Sequence, residues 1–319
     1  MISEKSLDRI TKRQGQFSWG ERYVPAIKAV PGEAPKISRV SRMYSRRLDR
    51  SLHLLSATER VFTQLALFNP LVFEIHEQRM LFPTPCMHPL HGHPLAAGMN
   101  LSPIPGTLAI ADQIGMRHAM VLVGEGEDAR YAAYPYLGDL LLFLTDEDGQ
   151  PYAVNWTIKL SAGDFTERRR NAVKTLAEQI KDKRKANLRN VLEEEYYRSA
   201  GIRTVMLSME DIDPIVAVNL DLVYGADDTE FDVDPSLLDD FTSAVLESAH
   251  AGIPPALVAI EYGKKWGRRD VFLAKIYADI WRRTIPVDFF QYIQIDQPLN
   301  IGGRDLLSHY GAFFLGAPS

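Results

Sequence analysis

The chain has 319 residues, 46% hydrophobic and 24% charged, a balance that suits two soluble domains with real cores and excludes a disordered or low-complexity chain. Its single cysteine, Cys86, excludes an internal disulfide, and no apolar run approaches the roughly 20 residues of a membrane span or forms a signal peptide, so a cytoplasmic protein is expected. The net charge of −5 argues weakly against nucleic acid, but it is unevenly distributed. Residues 1–50 carry 12 Lys and Arg against 5 Asp and Glu, residues 164–203 carry 11 against 7, and residues 204–250 carry 12 acids and no Lys or Arg. Two basic stretches of this kind form the electrostatic footprint of phosphate-backbone binding, or ordinary solvated faces.

In chain order, residues 1–50 mix Gly, Pro, Ser and Arg without helical or strand period and read as an irregular basic arm. Arg42, Arg46, Arg47 and Arg50, with Tyr44 among them, would suit a DNA strand lying across it. Next, LSATERVFTQLALFN predicts a helix with Ser56 as N-cap and Glu59 three residues on, the capping-box position. Asn69-Pro70 ends it, and LVFEIHEQ predicts a strand with Glu74, His76 and Gln78 on one face. The segment 83–105 is rich in Pro, Gly and His. Cys86, His88, His91 and His93 fall within eight residues, but their spacing matches no common zinc motif, and a surface loop with incidental histidines is the better reading. A helix over Leu108 to Ile114 then leads into a strand. Gly124-Glu125-Gly126 matches no phosphate-binding loop.

Residues 137–159, LGDLLLFLTDEDGQPYAVNWTIK, predict two apolar strands joined by the turn Asp146-Glu147-Asp148-Gly149. Asp139 opens the first strand and Lys159 closes the second. A carboxylate and a lysine on adjacent strands suit a metal-dependent phosphodiester nuclease, although both are also common at solvated strand ends. Phe165 to Ser199 reads as a helix with apolar positions Val173, Leu176, Ile180, Leu188, Val191, Leu192 and Tyr196 and a basic opposite face, and IRTVMLSM as a buried strand. The order helix, strand, hairpin, helix, strand gives an α/β core with helices on a mixed sheet. From about 210 the chain changes character: an apolar segment, an acidic solvated loop, amphipathic helices over Ser236 to Ala249 and Asp270 to Thr284, and a tail that could add a final strand or two.

The ordered set GERYVPAIKAVPGEAPK, SRRLDRSLHLLSATER, VFEIHEQRMLFP, GTLAIADQIGMRHA, YLGDLLLF, NWTIK and LRNVLEEEYYRSAGIRTVMLSMED resembles the TnsA family, the endonuclease subunit of heteromeric transposases. The match runs from about Gly20 to Asp211. The resemblance implies a restriction-endonuclease-like PD-(D/E)xK core over 51–209, with the basic arm 1–50 as part of the nuclease domain. It also implies a smaller, mostly α-helical, helix-turn-helix or winged-helix-like domain over 210–319. Carried over by position, Glu59 and Asp139 are metal ligands, Lys159 is the active-site lysine, and the Ile158 carbonyl completes a metal shell. Thr157 stands where related nucleases carry Glu or Gln, and it would reach a metal only through its hydroxyl or a water.

The function so implied is Mg²⁺-dependent cleavage, by two ions for which Mn²⁺ can substitute, of the non-transferred strand at the 5′ ends of a transposon. The implied partners are transposon-end DNA, a DDE-type transposase subunit and an AAA+ ATPase regulator that contacts the C-terminal domain, with no membrane involved. The setting implied is the bacterial cytoplasm, at the nucleoid during transposition. Two other readings stay open: an adaptor subunit with a weakened site that bridges transposase and ATPase, and a free-standing restriction or repair nuclease.

Overall fold

A computed structural model describes residues 3–35, 39–166, 175–226 and 228–317. The chain divides into two compact units. The first comprises Met1–Thr63, Pro70–Asp211 and Phe314–Ser319, and the second Gln64–Asn69 and Ile212–Phe313.

In the first unit, α1 (Glu4–Gln14) starts at a reciprocal cap between Ser3 and Ser6. It buries Ser6, Ile10 and Gln14, one face at intervals of four residues. Two of those three are polar, so the face carries no hydrophobic period. Gln14 is buried because its amide donates to the Tyr23 hydroxyl and to the carbonyls of Val24 and Gln78. The expected irregular arm is therefore corrected to a helix followed by an antiparallel pair, β1 (Ser41–Ser45) and β2 (Arg50–Leu54).

There follow α2 (Ala57–Phe68), β3 (Val72–Glu77) and β4 (Met80–Leu81), then α3 (Thr107–Gln113), β5 (Met120–Val123), β6 (Arg130–Ala133) and β7 (Tyr136–Leu137). Gly106, ahead of α3, has φ +90°, and a Cβ there would lie 2.5 Å from the Thr84 carbonyl carbon, so the approach of these two segments admits only glycine. The hairpin is β8 (Leu140–Thr145) and β9 (Pro151–Lys159), and α4 (Leu176–Arg198) leads to β10 (Arg203–Ser208).

The principal sheet has the order β10-β9-β8-β3, with β10 parallel to β9 and the other pairs antiparallel, which makes the unit α/β with a mixed sheet. Its central strands read as unbroken apolar runs because both faces are covered. Leu140 to Leu144 are all buried, as are Val154, Trp156 and Ile158. Leu141 and Phe143 share a core with Leu192, Tyr196 and Tyr197 of α4, and Trp156 meets Phe62 of α2 edge-on at 6.1 Å.

The predicted helix over Phe165 to Ser199 is shorter: Ala162–Phe165 is a 3₁₀ turn and α4 begins at Leu176, capped by Thr175. Val173 lies outside the described residues. Leu176 and Ile180, expected on the apolar face, are 72% and 60% exposed.

In the second unit, α5 (Pro214–Tyr224), α6 (Pro235–His250), α7 (Pro255–Trp266) and α8 (Arg269–Trp281) surround Leu220, Phe241, Val245, Phe272 and Ile276. The tail forms no described strand. It carries an isolated bridge between Val287 and Ile301 and two short helices, α9 (Leu306–His309) and α10 (Gly311–Phe314). Part of its backbone bonds to one buried side chain instead of a ladder. Asn219 donates to the carbonyls of Phe289 and Gln291 and accepts from the Ile293 amide.

Candidate active site

The hairpin register builds the first part of the site. Leu140 faces Trp156, so Asp139 lies across from Thr157 and its side chain reaches one residue further. Its Oδ2 accepts the Ile158 amide at 2.7 Å and the Lys159 ammonium at 3.0 Å. Lys159 Nζ also donates to its neighbour's carbonyl, Ile158 O, at 3.0 Å, and lies 6.0 Å from the Phe165 ring centre. The side chains of Lys159 and Asp139 are 34% and 21% exposed, so this pair faces solvent at one side. Burial lowers the Lys159 pKa, but the charges of Asp139 and then Glu193 outweigh it, so the group is held as an ammonium.

Glu59, in the first turn of α2, brings the second carboxylate. It accepts from the Leu55 amide at 2.9 Å, the Ser56 hydroxyl at 3.1 Å and the Gln78 side-chain amide at 3.1 Å, while Ser56 Oγ accepts the Glu59 amide at 3.0 Å. The expected cap is formed, and the same carboxylate is pushed up to about 7, first by burial and next by the charge of Asp139. Glu59 and Asp139 therefore sense each other across the site.

Gln78 joins the two. Its backbone amide donates to the Asp139 carbonyl at 3.0 Å and its side chain to Glu59. It sits at φ +50°, a left-handed conformation that is costly for a non-glycine residue and common where surrounding structure enforces it. The enforcement is visible: the Gln78 carbonyl accepts from the Ala26 amide and from Gln14. Sequence reasoning placed Gln78 on a strand face and gave it no role. Nothing local signals a role, because its partners Gln14, Ala26, Glu59 and Asp139 all lie at least 19 residues away along the chain.

Thr157, expected as a tentative ligand, is turned elsewhere. Its buried hydroxyl donates to Glu193 Oε1 at 2.9 Å, an oxygen that also accepts from Asn155 at 3.1 Å. Arg189 pairs with the other oxygen of Glu193 at 2.8 Å. Glu193 is itself buried, with Tyr196 and Tyr197 on the same helical face. A glutamate within an i, i+3, i+4 buried stripe was the available signal, and sequence reasoning missed it. Glu193 of α4 thus brings a carboxylate beside Thr157, and its charge bears on Lys159.

The four arginines separate. Arg42 and Arg46 are exposed, and Arg47 is exposed with its guanidinium donating to the Val72 carbonyl at 2.9 Å. Arg50 is corrected: it is buried and donates twice to Glu77, at 3.0 and 2.9 Å, with Glu74 at 3.4 Å, so it neutralises buried carboxylates and cannot reach a DNA backbone. The exposed cations Lys181, Lys183, Arg184 and Lys185 line α4.

Cys86, His88, His91 and His93 do not converge. Cys86 contacts the Tyr196 hydroxyl, His88 the Ala200 carbonyl and the Leu90 amide, and the rings of His93 and His91 pack on Trp19 and Phe17 respectively. Among the described residues no three His, Cys, Asp or Glu side chains are gathered as a metal-holding group. The oxygens at the candidate site are those of Asp139, Glu59 and the Ile158 carbonyl, the hard donors that Mg²⁺ accepts. A buried carboxylate, Glu59, raised in pKa partly by the charge of the half-buried Asp139 is also the condition a divalent cation relieves. Among the described residues no helix is long and apolar enough to cross a membrane. No family model matches the chain, and no curated protein matches it.

Proposed function

We propose that this chain is a metal-dependent DNA endonuclease with a restriction-endonuclease-like core, acting as the TnsA-type subunit of a heteromeric transposase. The observation that carries the reading is the Asp139–Ile158–Lys159 arrangement on neighbouring antiparallel strands, with Glu59 charge-coupled to it from a helix. The residues that would hold a Mg²⁺ ion are Asp139, Glu59 and the Ile158 carbonyl, all oxygen donors of the kind it takes. When bound it would polarise the scissile phosphate and lower the pKa of a water.

The residues of the chain do the rest. Asp139 Oδ2 is fixed by the Ile158 amide and Lys159, which leaves Oδ1 to face a cation. Lys159 is held protonated, so it serves as a fixed positive charge beside the phosphate that offsets developing negative charge, and not as the base. Glu193 and Arg189 act one step back: Glu193 helps hold the Lys159 charge, and Thr157 and Asn155 fix Glu193. Gln78 ties the positions of Glu59 and Asp139 together. The reading extends to cleavage of the non-transferred strand at transposon ends, alongside a DDE-type transposase and an AAA+ ATPase regulator.

The second reading is an adaptor subunit with a weakened site, favoured by the Thr157 hydroxyl being spent on Glu193. Purified protein with its transposase partner, transposon-end DNA and Mg²⁺ distinguishes the two. Asp139→Ala and Lys159→Ala each abolish non-transferred-strand nicking if the nuclease reading holds, and leave it unchanged if the chain is an adaptor.

A further inference from the structure

The second unit is acidic. From 212 to 313 it carries 16 Asp and Glu against 8 Lys and Arg. Four of those eight cations, Lys264, Lys265, Arg268 and Arg269, fall in the six residues that join α7 to α8, around Trp266. All five side chains are exposed, Trp266 to 50%, and Lys265 Nζ lies 5.3 Å from the Trp266 ring centre.

The corner is rigidly built. Gly267 closes α7 at φ +72° and its amide donates to the Gly263 carbonyl at 2.8 Å. A Cβ on Gly263 would lie 2.7 Å from Arg269 Cβ, so the end of α7 and the start of α8 are pressed together. The rings of Phe241, Tyr262 and Phe272 pack edge-on or tilted, with centres within 5.4 Å of one another. The cations are thus projected from one fixed place.

Local helix stability does not account for all four. Lys264 and Lys265 in the last turn of α7 complement its dipole, but Arg268 and Arg269 stand at the start of α8, where positive charge is unfavourable and no side chain caps the helix. Nor does internal pairing account for them. Arg268 reaches Asp270 at 3.9 Å and the Asp232 carbonyl at 3.5 Å, while Lys264, Lys265 and Arg269 make no ion pair among the described residues. An external polyanion relieves the repulsion among four cations and the cost of two of them at a helix start. The adjoining exposed positions are Glu261 and Asp270, charged and not apolar, which disfavours entry into a bilayer.

We propose that the α7–α8 corner is a DNA-backbone contact, in which Lys264, Lys265, Arg268 and Arg269 sit on consecutive phosphates and Trp266 carries Lys265 into place. Its residues belong to the second unit and those of the candidate active site to the first, and the proposal rests on the reading of the chain as a DNA-acting protein.

The test is fluorescence anisotropy of a labelled duplex with the full chain in EDTA, titrated across 50–200 mM KCl, which reads binding without hydrolysis. Each phosphate contact contributes about 0.9 to the salt slope. The variant Lys264→Gln/Lys265→Gln/Arg268→Gln/Arg269→Gln is expected to lower the slope by about 2 to 4 and to weaken binding at 50 mM KCl at least about tenfold. The double variant Lys264→Gln/Lys265→Gln, which leaves the Gly263–Arg269 contact untouched, is expected to lower the slope by about half as much. An unchanged slope in both Gln variants overturns the proposal. So does loss of binding to phosphatidylserine vesicles or to polyglutamate with DNA binding intact. Loss of nicking in Asp139→Ala bears on the nuclease reading alone.

Discussion

Glu59→Gln tests whether the site is electrostatically strained before any cation arrives. The carboxylate titrates near 7 in the folded chain, against about 4.3 in an unfolded one. Because the folded state binds the extra proton, stability is greatest below the unfolded value and falls as pH rises from about 4.3 through about 7. At pH 8 the ionised group costs the metal-free protein about 3 kcal/mol, from a shift of two to three units at about 1.4 kcal/mol each. Glutamine has the same shape, can accept from Leu55 and Gln78 through its oxygen, and can donate to Ser56. At pH 8 in EDTA the variant should therefore melt higher than the parent by about 6 to 12 °C, from about 2 to 4 °C per kcal/mol for a unit of this size. At pH 4.5 the two should melt together. Mg²⁺ should raise the parent at pH 8 and the variant little, because only the parent gains a second carboxylate for the ion. If the variant is no more stable than the parent at pH 8, or is equally favoured at both pH values, the proposed repulsion between Glu59 and Asp139 is wrong.

Arg50→Met leaves Glu77 and Glu74 buried without their cation, and should cost about 3 to 5 kcal/mol at pH 7, read as a lowered urea midpoint. A midpoint within about 1 kcal/mol of the parent would return Arg50 to the exposed set. His88 is held neutral, its pKa lowered to about 4 by burial, so it contributes stability above about pH 6.5 that is lost as pH falls towards 4. His88→Gln should be less stable than the parent at pH 7, since it disturbs the bonds to Ala200 and Leu90, and the gap should narrow by about 2 kcal/mol in melts at pH 4.5.

What was legible in the sequence was whatever is set by neighbours along the chain. The hairpin and β10 announce themselves because a sheet covered on both faces requires unbroken apolar runs, and Asp139 and Lys159 are marked as polar interruptions at the ends of those runs. Arg50 was misread because its partners, Glu74 and Glu77, lie 24 and 27 residues away on β3, and nothing near it in the chain signals them. The helix α1 was missed for a related reason. Its buried face is polar, and Gln14 is satisfied by residues as distant as Gln78, so neither hydrophobic period nor local capping reveals what the face packs on.

The same distinction explains the part of the candidate site that sequence reasoning did not assemble. The family resemblance leads one to expect Glu or Gln at position 157, which a strand presents on the same face as Lys159. The structure instead brings a carboxylate beside that position from α4. Thr157 is short, so a carboxylate from α4 can approach the strand, and its hydroxyl and the Asn155 amide fix the Glu193 oxygen that a longer side chain would have displaced. A glutamate at 157 would crowd Glu193 and force two buried carboxylates together. Thr157 and Glu193 thus form one choice made at two places in the chain, and the apparent weakness at 157 follows from reading only one of them.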